Sequence, residues 1–406
     1  MRPTRRQLLR RGGGASLAAA PLSSALGTAA TTPGPYQLFW GDLHNHNAVG
    51  YAQGSLERTY DIARSHLDFL AFTPHSQWHD MPRMPNDSHL KWVRGFEVLE
   101  KNWAKVQKLA AANNEPGKFV SFLAYEWHSS HFGDYCLYYP GDGSPIAYHD
   151  HVRALQKHAA AHQAILIPHH LAYRQGWRGA NIDYFDPAVS PVMEIFSEHG
   201  LSEQDRGGRD YVTHSNGGRY TRNTFRAFLK KGIRAGVIAS TDDHLGYPGA
   251  YGEGLAGLYA TDLSRAALLD ALWKRRTIAA TGDRVDLRFR VNSQWMGSIL
   301  PFARDRTLDP VRIVRSAAVE VVVIGALDHR DRAQARAVLQ DSEVLHEPGV
   351  HAPRDIPVER ARHQVVGHLV RVDRSLRIFE HRRGDRAHEA NVFGRELVRR
   401  DRAFDE

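Results

Sequence analysis

The chain has 406 residues, an ordinary balance of apolar and charged side chains, a formal charge of +8 and one cysteine, Cys136. That length accommodates one large domain and a smaller one, and a single cysteine excludes an internal disulfide or a zinc–thiolate cluster. No uninterrupted apolar run reaches the ~20 residues that cross a bilayer, so stable membrane insertion is not expected.

Arg2, Arg5, Arg6, Arg10 and Arg11 supply five of the positive charges before the first acid, Asp42. The rest of the chain is close to balance, so the basic composition gives no ground for a nucleic-acid partner. Thr4-Arg5-Arg6-Gln7-Leu8-Leu9-Arg10 resembles a twin-arginine motif, and a glycine- and alanine-rich stretch follows it, ending Thr28-Ala29-Ala30. Residues 1–30 therefore read as an export signal, with the twin-arginine machinery as partner and a periplasmic or secreted location.

Seven short apolar runs follow: Leu38–Leu43, Leu67–Phe72, Phe119–Tyr125, Cys136–Tyr139, Ala164–Ile167, Val192–Phe196 and Ala235–Ala239. Their length and their Gly, Pro, Asp or His boundaries are those of buried strands. Helical patterns lie between most of them, at Ser55–His66, His89–Ala112, His151–His162, Thr221–Lys231 and Ser264–Arg275. This alternation predicts an α/β fold over residues 36–284, a parallel barrel. After Arg284 the pattern turns β-rich, at Val285–Val291, Val311–Ile313, Val319–Ile324 and Leu369–Val372, with one helical stretch around Asp331–Leu339. Residues 285–406 read as a small, mostly β C-terminal region.

Histidine is over-represented, at 24 copies, so an H-x-H pair arises by chance about once or twice. Position separates signal from noise. The strands end in His44-Asn45-His46, His75, Glu126, His169-His170, Glu198-His199 and Asp242-Asp243-His244. Barrel enzymes build their sites at this end of their strands. His149/His151, at the start of a helix, is assigned to the surface. Alternate residues of a strand share a face, so His44 with His46, and Asp242 with His244, can grip one ion. Glu126 can bridge two. An all-N/O donor set suits Zn, Mn or Fe, and two ions about 4 Å apart could generate hydroxide and hold the oxygens of a phosphoryl or sulfuryl group. Arg174 and Arg178, on the loop after His170, could clamp an anionic oxygen. Cys136 reads as a small buried strand residue.

The order H-x-H, His, Glu, His, D-x-H resembles the PHP (polymerase and histidinol phosphatase) superfamily. Phe39–His44, Tyr125–Trp127, Ile167–His170, Glu194–Gly200, Ser240–His244 and Arg275–Gly282 resemble more closely a bacterial branch known only as a domain of unknown function. The resemblance spans about residues 36–300. It implies a distorted seven-stranded (β/α) barrel holding two or three divalent ions. His44, His46, Glu126 and Asp242 would hold one ion, and Glu126 would bridge to a second shared with His75. His169, His199 and His244 would be further ligands. Asp134 stands where relatives often carry a histidine and is read as a ligand, and His170 as facing the substrate. Glu126 and Asp242 would carry catalysis. The expected activity is a metal-dependent phosphoesterase acting on a small anionic ester through a metal-bound hydroxide. Sulfate-ester or amide hydrolysis on the same site, and a metal-holding barrel without catalysis, are the alternatives.

Overall fold

A computed structural model describes residues 35–84, 88–205, 209, 218, 220–288, 290–291 and 294–300, together with three short strands farther along. The export signal, the run Val311–Ile313 and the stretch Asp331–Leu339 lie outside the described residues. No described helix is long and apolar enough to cross a membrane.

The chain runs β1 (Gln37–Asp42), α1 (Leu56–His66), β2 (Phe69–Phe72), β3 (His75–Trp78), α2 (His89–Ala112), β4 (Val120–His128) and β5 (Asp134–Tyr139). It continues through α3 (Val152–Ala161), β6 (Ile165–His169), β7 (Val192–Ser197), β8 (Gly200–Leu201), α4 (Phe225–Lys230), β9 (Gly236–Ala239) and β10 (Leu255–Ala260). Next come α5 (Arg265–Trp273), β11 (Thr277–Ala280), β12 (Arg290–Val291) and β13 (Gln294–Trp295), then β14 (Val322–Val323), β15 (Val365–Gly367) and β16 (Val370–Arg371). Helix starts follow the side chains that can cap them. The hydroxyls of Ser55, Thr224 and Ser264 accept from backbone N–H groups three residues on, and the His151 ring accepts from Arg153 N.

The architecture is mixed α/β. The largest sheet has the order β15-β11-β10-β1-β2-β4-β5-β6, with β3 also on β4, and β8-β7-β9 form a smaller one. The sheet curls so that β7 lies beside β6 and β9 beside β11, where the Thr277 hydroxyl donates to Val237 O. The expected all-parallel barrel is corrected. Among the described strands, only the β1/β2, β2/β4, β3/β4 and β7/β9 pairs are parallel; β4/β5, β5/β6, β1/β10 and β10/β11 are antiparallel. The reason is plain at β4/β5: residues 129–133 join the two strands, far short of the dozen residues that a parallel crossover needs. Strand β10, Leu-Ala-Gly-Leu-Tyr-Ala, lacks the β-branched pattern that flags a strand, and it was not among the expected seven. In the C-terminal region, β15 adds to the large sheet by pairing antiparallel with β11.

Strand parity separates two cores. Leu70, Phe72, Leu123, Tyr125, Trp127, Tyr135, Leu137 and Tyr139 pack outward under α1, α2 and α3. Phe69, Ala71, Val120, Phe122, Ala124, Cys136, Tyr138, Ile165, Ile167, Val192 and Ile238 meet on the inner face of the curl. Since side chains alternate along a strand, the next positions of that inner parity are Glu126 and His128, Asp134, His169 and Glu194, and Asp242 follows just beyond the end of β9.

Candidate metal centre

Those positions converge. His44 and His46, just past β1, bring their Nε2 atoms to 3.2 Å of each other and to 3.2 and 2.9 Å of Asp242 Oδ1. On the far side, Glu126 Oε2 lies 2.6 Å from His75 Nδ1 and 3.3 Å from His128 Nε2. Glu126 Oε2 is also 3.6 Å from His46 Nε2, and its other oxygen is 2.5 Å from His169 Nε2. Glu126 therefore stands between the two groups. A third group forms around Asp242 Oδ2, which lies 3.1 Å from His199 Nε2 and 3.5 Å from His170 Nε2. His244 Nε2 closes on His75 Nε2 at 3.2 Å. Apart from the partly exposed His199 and His244, every one of these residues is buried.

A second layer orients the rings. Glu194 lies 3.2 Å from His44 Nδ1, Glu198 lies 3.0 Å from His244 Nδ1, and the Tyr173 hydroxyl lies 2.7 Å from His199 Nδ1. Such partners on the second nitrogen leave the first free to ligate. Cys136 Sγ sits 3.8 Å from His169 Nδ1. Asp42, buried at the end of β1, accepts from the hydroxyl and N–H of Thr241 and so ties the H-x-H segment to the segment carrying Asp242.

The carboxylates of the cluster are ionised, and its rings divide into two sets. Burial alone would raise the Glu126 carboxyl, but His128, His75 and His169 outweigh it and hold it well below the usual range. Asp242 is held down against burial in the same way, by His44 and His199. Burial, then repulsion from His244, pushes His46 down to about 3. Burial, then the neighbouring rings, lowers His75 and His170 too. Ionised carboxylates and the rings lowered at His46, His75 and His170 are in the protonation states of metal ligands. By contrast, against burial Asp242 holds His44 well above the usual imidazole range, Cys136 and Glu126 do the same for His169, and Glu198 raises His244 to about 9. Glu126 Oε2 and Asp242 Oδ2 are buried with no aligned hydrogen-bond donor, although ring nitrogens surround both. Ligand atoms that converge so closely fit a cation between them, and sets such as His44/His46/Asp242 and His75/Glu126/His128 each place their ligand atoms within 4.8 Å. His170, Arg178 and Asp242 also hold left-handed backbone, at φ +53, +75 and +54°. That costs ~1–3 kcal/mol each and persists where surrounding contacts impose it.

The proposed residues separate in the structure. His44, His46, His75, Glu126, His169, His170, His199, Asp242 and His244 come together. Asp134 joins Glu126, His169 and His170 in a group whose ligand atoms lie within 4.8 Å of one another, while its Oδ2 also accepts from Arg178 Nε at 2.5 Å and its Oδ1 from Ser129 N. Arg178 is buried beside the cluster, with Nη2 3.8 Å from Glu126 Oε1. Arg174 is exposed and makes no described side-chain contact with the cluster. His151 caps α3 at the surface, as expected. His128 and Glu194 were not picked out from the sequence. His128 was recoverable by carrying the parity of β4 two residues past Glu126, and Glu194 as a carboxylate inside the apolar run Val192–Phe196.

Residues 58–135 match a family described as a protein of unknown function (DUF3604). An uncharacterized protein of Chlamydia muridarum is 30% identical over 280 residues, covering 66% of this chain and 43% of the relative. One from Chlamydia trachomatis is 31% identical over 159 residues, 37% of this chain and 25% of the relative. The chain thus spans less than half the length of these relatives. A solved Bacteroides vulgatus structure is described as a two-domain protein containing a predicted PHP-like metal-dependent phosphoesterase. It aligns over 70% of this chain and 87% of its own, at 16% identity and a TM-score of 0.36.

Proposed function

We propose that the chain is a metal-dependent hydrolase of phosphate esters, holding two or three divalent ions. The observation that carries this reading is Glu126: one buried, ionised carboxylate set between the His44/His46/Asp242 group and the His75/His128 group. His44, His46, His75, Glu126, His128, His169, His199, Asp242 and His244 are the ligands proposed, and an N/O set of this kind favours Zn, Mn or Fe. When bound, such ions supply Lewis acidity and a water acidic enough to react at neutral pH.

The chain's own groups do the rest. Glu194 and Glu198 keep the rings of His44 and His244 turned inward. Arg178, its charge balanced by Asp134, offers guanidinium N–H groups beside Glu126 to an anionic ester oxygen. His170 Nε2, near Asp242 Oδ2, faces the same space and can donate to a substrate oxygen. The site's burial excludes bulk water and strengthens each of these contacts. Export through the twin-arginine route remains part of the proposal and rests on residues 1–30.

Elemental analysis of the purified chain, followed by assays on methyl phosphate, an aryl phosphate, a phosphodiester and an aryl sulfate, tests the proposal. At least two ions per chain with phosphate-ester turnover is the expected result. Full metal loading with no turnover on any ester would leave a metal-holding protein and reject the esterase.

A further inference from the structure

Beside the cluster lies a cavity of about 260 Å³, lined by Trp78, Asp80, Pro82, Ser130, Trp177 and Arg178. Two of its features point to an occupant. Trp78 and Trp177 both line it, and Trp177 is 47% exposed although it is a large apolar side chain. Arg178 also lines it, and its guanidinium carbon sits 5.0 Å from the Trp78 ring and 5.3 Å from Trp92. Arg178 Nη2 also reaches to 3.2 Å of His128 Nδ1. One residue therefore belongs to both the cavity and the cluster. Asp80 does not make the cavity a cation site, because its oxygens already accept from Ser129, Ser130 and His131.

We infer that this cavity receives the organic group of the ester, and that the group is a flat aromatic ring. The inference rests on the esterase reading for its orientation: an anionic group held at Arg178 and the cluster places its organic substituent in the cavity that Arg178 lines together with Trp78 and Trp177. Indole walls favour flat rings in stacked or edge-to-face contact. Size agrees, since an apolar cavity of roughly 150 Å³ already takes benzene.

The test uses two phosphonates that cannot be hydrolysed, phenylphosphonate and methylphosphonate, titrated calorimetrically into the metal-loaded full chain. The wild type is expected to bind phenylphosphonate about tenfold more tightly, the scale of ring contacts plus buried area. Trp177→Ala should erase that preference without changing metal content, and Trp177→Phe should restore most of it. Equal affinities in the wild type, or a preference that survives Trp177→Ala, would overturn the inference. Turnover enters neither measurement. A chain that prefers phenylphosphonate but hydrolyses no ester keeps the cavity assignment and loses the esterase.

Discussion

Glu126 and Glu194 are both buried carboxylates on inner-face positions, yet they should fail differently when altered. Glu126 faces ring nitrogens with both oxygens, so Glu126→Gln removes the charge that would let two cations sit close and leaves one good acceptor. Bound metal should fall by about one ion per chain and turnover should collapse. His79→Ala, at an exposed residue four positions past His75, should change neither. Full metal and full rate in Glu126→Gln would dismiss a bridged site. Glu194 touches only the outer nitrogen of His44. Glu194→Ala should keep the saturating metal count while weakening affinity roughly 10- to 100-fold, read by chelator competition; unchanged affinity would remove Glu194 from the site. These roles differ in legibility. Glu126 follows a strand and could be found from the order of residues. Glu194 shows in the sequence as a carboxylate inside an apolar run, but its partner is set by contact with His44, a residue 150 positions away in the chain.

At the scale of elements, close strand approach outweighs helix capping. Gly41 of β1 pairs with Phe69 of β2, and a Cβ there would collide with the Phe69 ring and carbonyl oxygen. Gly41→Ala should cost about 3 kcal/mol through overpacking, and it should disturb the H-x-H segment directly after β1. Ser264→Ala removes the hydroxyl that caps α5 and should cost about 1 kcal/mol, with metal content intact. Urea denaturation of both variants checks the order; a Gly41→Ala chain as stable as the wild type would contradict the packing described. Helices were legible element by element, because caps and periodicity are local. Strand direction was not, because pairing depends on which segments meet. Strand β10 was missed since its Ala- and Gly-containing sequence is strand only by virtue of lying between β1 and β11.

For the molecule as a whole, every proposed ligand precedes residue 245, while β15 pairs with β11 from far downstream. A chain ending at Arg304 should therefore keep its metal but melt at a lower temperature, since the edge of β11 loses its partner. A truncated chain that stays folded yet holds no metal would show that the domain boundary is misplaced. At the other end, Arg5→Lys with Arg6→Lys should retain the protein in the cytoplasm with residues 1–30 attached. Normal export of that double variant, followed by cell fractionation, would dismiss the twin-arginine reading.

The sequence alone determined the alternation of strands and helices, most helix boundaries, with α4 starting at Phe225 rather than Thr221, and the metal-capable residues at strand ends. Each of these depends on side-chain chemistry within a few positions. Tertiary structure alone decided the mixed strand directions and the engagement of Asp134 by Arg178. It also decided the exposure of Arg174 and the entry of His128 and Glu194 into the site. Those outcomes depend on the distance between groups far apart in the chain. The curl of the sheet sets that distance by bringing the inner faces of β4, β5, β6, β7 and β9 onto one small volume.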